Sequence, residues 1–232
     1  MFDIVNRQLI VSGRSKRVYK IDDARCYIEL VASLRSFTYA REEVVTGSDV
    51  VRLDFYEMAA AKLTQAGINH AFVERVGPAA YLAKLCSDPP FEVIVKNLAA
   101  GSTLRKYPGL FQENHRFVQP VVKFDYRTDP EDQCLADDYL REYGHNPARW
   151  KRLALDVNRV LVEWLAPRTL VDICFIIGID PGGDECVLSE VSPDCMRLRS
   201  PEGESLDKDL FRHGLSGAAL VAVWSELVAS LR

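Results

Sequence analysis

The sequence predicts an α+β fold, with its early strands in an antiparallel sheet, from three observations. Short β-rich segments punctuated by turn residues dominate its early part, its helical segments are isolated, and strands do not alternate with helices as in a doubly wound sheet. "QLIVSG", "RVYKI" and "RCYIELVA" open the chain as strands. "GSDVVRLDFYEMAAAKLTQAG" has apolar residues at helical spacing and is ended by Gly67. "HAFVERV", "AAYLAKL" and "FEVIVKN" return to strand. A second helix over 146–165 puts Trp150, Leu153, Val157, Val160, Leu161 and Trp164 on one face. "TLVDICFIIGI", the turn "DPGGDE" and "CVLSEVS" read as a β-hairpin, and a last helix over 215–231 closes the chain.

Composition excludes several function classes. The 232 residues are 48% hydrophobic and 27% charged, as in an ordinary globular protein. The net charge of −4 is spread along the chain, with no basic run to track a nucleic-acid backbone. No apolar stretch approaches the roughly 18 residues of a membrane span, and the amino terminus has no signal-peptide pattern. The expectation is a cytoplasmic protein without nucleic-acid or membrane partners. Cys26, Cys86, Cys134, Cys174, Cys186 and Cys195 are scattered, as are His70, His115, His145 and His213, so no zinc or disulfide framework is expected.

Four segments carry residues suited to chemistry. In "SGRSKRVY" (12–19), Gly13 stands between strands beside Arg14, Lys16 and Arg17; a glycine-hinged basic turn holds phosphate, and a solvated hairpin turn has the same composition. In "VKNLAAGSTLRKY" (95–107), small residues allow close backbone approach and Ser102 offers hydroxyl and amide to a phosphate, with Arg105 following; an ordinary N-cap reads the same way. In "VLSEVSPDCMR" (187–197), Pro193 fixes φ and the Asp194 side chain is expected to bond nearby backbone N–H groups. Glu190 and Arg197 flank that turn as groups suited to a charged ligand, or Glu190 and Asp194 are a turn cap and a charge partner for Arg197. In "DKDLFRHG", Lys208 and Arg212 fall one helical turn apart, the pattern of a solvated face.

In order and spacing these segments resemble the SAICAR synthetases, purine-pathway ligases that join aspartate to a carboxyaminoimidazole ribonucleotide. The family's Gly-Lys-Ala-Lys turn is matched by Gly13-Arg14-Ser15-Lys16, and its Arg-Asn strand end with Ala-Gly-Ser by the run from Lys96 and Asn97 to Gly101 and Ser102. Its Asp-Glu-x-Ser-Pro-Asp-x-x-Arg segment is matched from Ser189 to Arg197, and its closing Asp-Lys-Asp-x-Phe-Arg is intact over 207–212. The resemblance covers nearly the whole chain. It implies the SAICAR-synthetase fold, an amino-terminal lobe (1–88) and a larger lobe (89–232) clasping nucleotide as one compact unit, and a homo-oligomer, expected as a dimer. It also implies that Ser102, Arg197 and Arg212 hold the ribose phosphate and base of a small ribonucleotide. Lys96 keeps the charge of a family arginine without its fork.

The departures fall on the energy-supplying half. The family's magnesium-binding aspartate before Glu190 is Ser189; its catalytic lysine is Cys174 and its second metal-binding carboxylate is Ile176. An early-loop aspartate falls on Thr38, the Lys-Gly at the ATP site near Ser48-Asp49, and the Asp-Pro that follows Asp129 on Gln133-Cys134. Magnesium takes oxygen ligands, preferably carboxylate. The expectation is therefore no metal and no cofactor, with ATP and Mg²⁺ required only if the chain is a true ligase.

The main expected function is an enzyme acting on an aminoimidazole carboxamide-type ribonucleotide without ATP, like the paralogues of coformycin and pentostatin biosynthesis, forming or helping form a diazepine ring. Such a closure needs positioning and proton transfer. Asp194 or Glu190, with a pKa raised by burial, is the expected acid or base, alongside Cys174 and Lys208. Cys174 also reads as plain core. Arg14, Lys16 and Arg17 would hold a second phosphorylated arm, and Arg105 is a further substrate-binding candidate. The alternatives are an ATP-dependent SAICAR synthetase and a non-catalytic nucleotide-binding relative.

Overall fold

The computed structural model describes residues 7–36, 38–128 and 131–232; Asp129, to which the Asp-Pro comparison was anchored, lies outside them. The early strands form as expected. They are β1 (Gln8–Ser12), β2 (Lys16–Lys20) and β3 (Arg25–Leu30), followed by a small hairpin of β4 (Ser33–Ser36) and β5 (Arg41–Val44). Helix α1 (Ser48–Gln65) leads to β6 (Phe72–Gly77) and β7 (Ala80–Lys84), and an antiparallel sheet runs β1-β2-β3-β7-β6. In β3, Cys26, Ile28 and Leu30 point inward by the period of two that a half-buried strand requires. The β2–β3 turn is fixed by Asp22, whose Oδ1 accepts from the N–H groups of Ala24 (2.9 Å) and Arg25 (2.7 Å).

The second sheet builds the site. Its elements are β8 (Phe91–Leu98), the short α2 (Ser102–Lys106), β9 (Arg116–Tyr126), β10 (Gln133–Leu135), α3 (Asp137–Glu142) and α4 (Pro147–Leu165). There follow β11 (Thr169–Phe175), β12 (Ile177–Ile179), β13 (Glu185–Val187), β14 (Met196–Arg199), α5 (Lys208–Arg212) and α6 (Gly217–Ser230). The order β10-β9-β8-β11-β14 is antiparallel throughout. Helix α4 starts where its sequence says, with Asn146 Oδ1 accepting from the N–H groups of Ala148 and Arg149 and Pro147 at the first position. Its stripe of Trp150, Val157 and Leu161 is buried against β8, β9 and β11.

One expectation is corrected. The segment 169–192 is not a single hairpin: only β12 and β13 pair with each other, Gly178 opposite Cys186, whereas β11 lies between β8 and β14. The ladder breaks at Ile176, whose N–H goes to the Ser189 hydroxyl (2.9 Å) instead of a strand partner. Gly178 is required there, because a Cβ would press into the Ser87 carbonyl. The main core cluster runs from Ile28, Leu34, Phe55 and Leu63 to Trp150, Phe175, Phe211 and Trp224, and α1 packs on both α4 and α6. Among the described residues no helix is long and apolar enough to cross a membrane.

Candidate functional site

A cleft of about 450 Å³ opens over β8, β11 and the turns at 101–102 and 194–197. Among the expected site residues, Lys96, Ser102, Arg105, Cys174, Asp194, Arg197, Lys208 and Arg212 line it. Glu190, Arg14 and Lys16 do not line it.

Strand pairing explains how distant residues meet. The antiparallel register sets Asp172 opposite both Lys96 on β8 and Arg197 on β14. Asp172 Oδ2 accepts from Lys96 Nζ (3.1 Å) and Arg197 Nη1 (2.8 Å) in surroundings that leave the carboxylate 7% exposed. Asp209 Oδ2 accepts from Arg197 Nε (3.0 Å) and Arg199, and its Oδ1 from Arg212 (2.6 Å). Asp207 accepts from Arg199 and from the Leu198 and Asp209 N–H groups. Four cations thus share three carboxylates. Burial first, and Asp209 second, push Asp207 up to about 6. The cluster keeps a positive surplus facing the cleft, which is what an anion requires.

Because the folded pKa of Asp207 is raised, the stability it contributes is complete below its unfolded value and is lost as pH rises through about 6. Melts of wild type and Asp207→Asn from about pH 4 to about pH 7 should show wild type losing stability over that window relative to the variant. Parallel curves would show that Asp207 is ionised throughout.

Gly101 sets the approach of loop to arginine. Its φ is +55°, and a Cβ there would sit 2.7 Å from Arg197 Cζ. Gly101→Ala should therefore cost about 1–3 kcal/mol of backbone strain and push the guanidinium out of register, weakening ribonucleotide binding well beyond its effect on melting. Unchanged affinity would place the anion elsewhere. The neighbouring Asn97 plays a structural part, exchanging two amide bonds of 2.9 Å with Asn158 of α4 inside the core.

The turn at 190–197 differs from its sequence reading. Neither Glu190 nor Asp194 pairs with Arg197. Glu190 is clamped by Arg52, which reaches both its oxygens (2.7 and 2.8 Å), and accepts from the Ser192 hydroxyl (2.5 Å). The turn's backbone is bonded by Ser192 Oγ, which takes the Asp194 N–H, rather than by Asp194. Asp194 instead meets Lys208 Nζ (2.9 Å), so Lys208 and Arg212 are bound into the site wall and not on a solvated face. Burial favours a neutral Asp194, but Lys208, Arg52 and Arg212 together hold it below the usual carboxylate range. The expected raised pKa is absent there. Lys16 lies half-buried near Glu190, and loss of solvent pushes its ammonium down.

Cys174 is in the cleft wall and donates to Glu92 Oε2 (3.0 Å); burial first, then Glu92, pushes its thiol well up. It is therefore a protonated donor and not a thiolate nucleophile. The raised carboxylates of the cleft are Glu92 and Asp132, in both cases mainly through burial. Sequence reasoning missed both. Glu92 has a signal in the two-residue spacing Glu92, Ile94, Lys96, which puts it on the Lys96 face of its strand.

The SAICAR synthetase family model matches residues 9–228. The chain is 34% identical over 221 residues to the phosphoribosylaminoimidazole-succinocarboxamide synthase of Methanocaldococcus jannaschii, covering 92% of this chain and 90% of that protein. The chain belongs to the SAICAR synthetase family. The corresponding synthase of Methanothermobacter thermautotrophicus is also 34% identical, over 90% of this chain and 87% of its own. A SAICAR synthetase solved in complex with ADP superposes with a TM-score of 0.88 at 25% identity, covering 95% of this chain and 96% of that one. Membership makes this chain an enzyme of a ligase family. The relatives carry the synthase name and lend no support to the expected diazepine-forming, ATP-independent role; they back the ligase alternative instead.

Proposed function

We propose that the chain acts on an aminoimidazole ribonucleotide, held by its phosphate against Ser102, Lys96, Arg197 and Arg212, in a carbon–nitrogen bond-forming reaction. One observation carries this reading: the cation surplus of the Lys96–Asp172–Arg197–Asp209–Arg212 network faces a cleft of nucleotide dimensions. Held this way, the nucleotide is fixed in position beside Cys174, Asp194 and Lys208. Asp194, ion-paired with Lys208 in the cleft wall and held ionised by its cations, is suited to orienting the reacting groups rather than to taking up a proton.

The relatives' names favour the family ligation, with aspartate as co-substrate and ATP as energy source. A second reading, the same nucleotide transformed without ATP, is favoured by the donor set. At the positions where the family implies magnesium ligands, the Ser189 hydroxyl is occupied by the Ile176 N–H and the Ile176 side chain is apolar and buried. Glu190 and Asp194 close by are taken up by Arg52 and Lys208. Among the described residues no group of three or more His, Cys, Asp or Glu is arranged to hold a metal ion. These residues do not fit ATP–Mg²⁺ as the family resemblance implies it, so no step is derived through it.

Mass spectrometry of three incubations separates the readings: aminoimidazole carboxamide ribonucleotide alone, the carboxyaminoimidazole ribonucleotide with aspartate, and the latter with ATP and magnesium. A succinylated product formed only in the third establishes the ligation and refutes the ATP-free reading. A product in the first establishes the ATP-free reaction. No turnover, with calorimetry showing that neither nucleotide binds, would sink the nucleotide assignment itself.

A further inference from the structure

The cleft has two electrostatic ends, and only one is accounted for by a phosphate. Glu92, Ile94 and Lys96 line it from one face of β8, and at roughly 3.3 Å per residue Glu92 lies about 13 Å along the strand from Lys96, comparable with the length of a nucleoside monophosphate. Around Glu92 the wall turns acidic, with Asp125 of β9 and Asp132 lining the same space.

Three features mark this end as short of a cation. Asp125 is 7% exposed; one of its oxygens pairs with Lys123, while the other is buried with no partner among the described residues. Of the other nearby cations, Arg127, whose charge also acts on Glu92 and Asp132, is directed to Asp88 and the Pro89 carbonyl, and Arg105 and Lys106 are paired with Glu131. Cys174, where the family resemblance implies a lysine, offers Glu92 only a neutral S–H. Burial and the mutual repulsion of these carboxylates push Glu92 and Asp132 above their ordinary values, a cost that an incoming positive charge relieves. Buried carboxylates without a matching cation are costly to maintain.

We infer that the Glu92–Asp125–Asp132 end of the cleft binds a protonated nitrogen group, an amidinium or ammonium, carried by the nucleotide at the end remote from its phosphate. The substrate thereby supplies the charge that a lysine at position 174 would have supplied. This inference rests on the nucleotide reading above and deepens it by naming the substrate's second recognition element. It involves no covalent step.

The test is calorimetric titration with two ribonucleotides of nearly the same shape. Aminoimidazole carboxamide ribonucleotide is neutral at the remote carbon, and its carboxamidine counterpart is cationic there. Wild type should bind the carboxamidine at least about tenfold more tightly, the equivalent of ~1.4 kcal/mol. Asp125→Asn with Glu92→Gln should erase the preference while keeping the carboxamide affinity. Cys174→Lys should also erase it by placing an ammonium in the subsite, whereas Cys174→Ala should retain it. Equal binding of both nucleotides by wild type would overturn the subsite while leaving the phosphate site standing, and needs no variant to fold. A preference that persists in Cys174→Lys would likewise overturn it. Failure of both nucleotides to bind wild type would instead refute the phosphate reading.

Discussion

Arg52→Met should destabilise the protein by about 3–5 kcal/mol, the cost of stripping one partner from a buried ion pair. Arg52 is 1% exposed and its guanidinium spends its donors on Glu190, the Val31 carbonyl (3.1 Å) and the Ser15 carbonyl (3.4 Å). It therefore ties α1, the β3–β4 connection, the basic turn before β2 and the Ser-Pro-Asp turn to one point. Without it Glu190 keeps the Ser192 hydroxyl and the more distant Lys16. Replacing both members, Arg52→Met with Glu190→Leu, should recover part of the loss, because no buried charge is then left alone. Urea unfolding reads both. A single variant within about 0.5 kcal/mol of wild type, the range of ordinary surface changes, would show that water reaches this pair.

Arg197→Ala should weaken ribonucleotide binding by about 2–5 kcal/mol, as expected when one member of a desolvated charged contact is removed. The fold should survive. Asp172 retains Lys96, and Asp209 retains Arg199 and Arg212, so neither carboxylate is abandoned. Removing the side chain also relieves the crowding at Gly101. Calorimetry of the nucleotide together with a thermal melt separates affinity from stability. Wild-type affinity in a well-folded variant would remove Arg197 from the phosphate site.

Local signals were legible wherever one residue type has one physical use. The helix over 146–165 was read with Trp150, Val157 and Leu161 on its buried face, and the segment of β3 as a turn-bounded strand. Strand β9 escaped notice because most of its residues are exposed and Pro120 interrupts it, leaving neither alternation nor an apolar run. The hairpin reading of 169–192 failed because β11 is buried on both faces, so its apolar run looks the same whichever strands flank it.

The site divided along the same line. Polar and charged groups in chain-local motifs, such as Ser102, Arg197 and Arg212, were named from the sequence, and the cleft gathers them. Partners supplied by the fold were not. Arg52 lies on the apolar face of α1, three, four and seven residues before Phe55, Tyr56 and Ala59, which was a readable sign of a buried arginine. Asp125 and Asp132 had no such sign, since β9 and the segment after it carried no recognised pattern. Asp194 was expected to rise in pKa as a carboxylate partly buried beside a ligand; the three cations that reverse the shift arrive from α1 and α5.

The central claim is that the cleft recognises a ribonucleotide through its phosphate. The direct measurement is calorimetric titration of wild type with aminoimidazole carboxamide ribonucleotide and with the corresponding nucleoside. Loss of the phosphate should cost at least about 100-fold in affinity, ~2.7 kcal/mol, and Arg212→Ala should narrow that gap by weakening the nucleotide alone. Equal affinity for nucleotide and nucleoside would contradict the account, because the surplus charge of the Lys96, Arg197 and Arg212 network would then have no ligand group to meet.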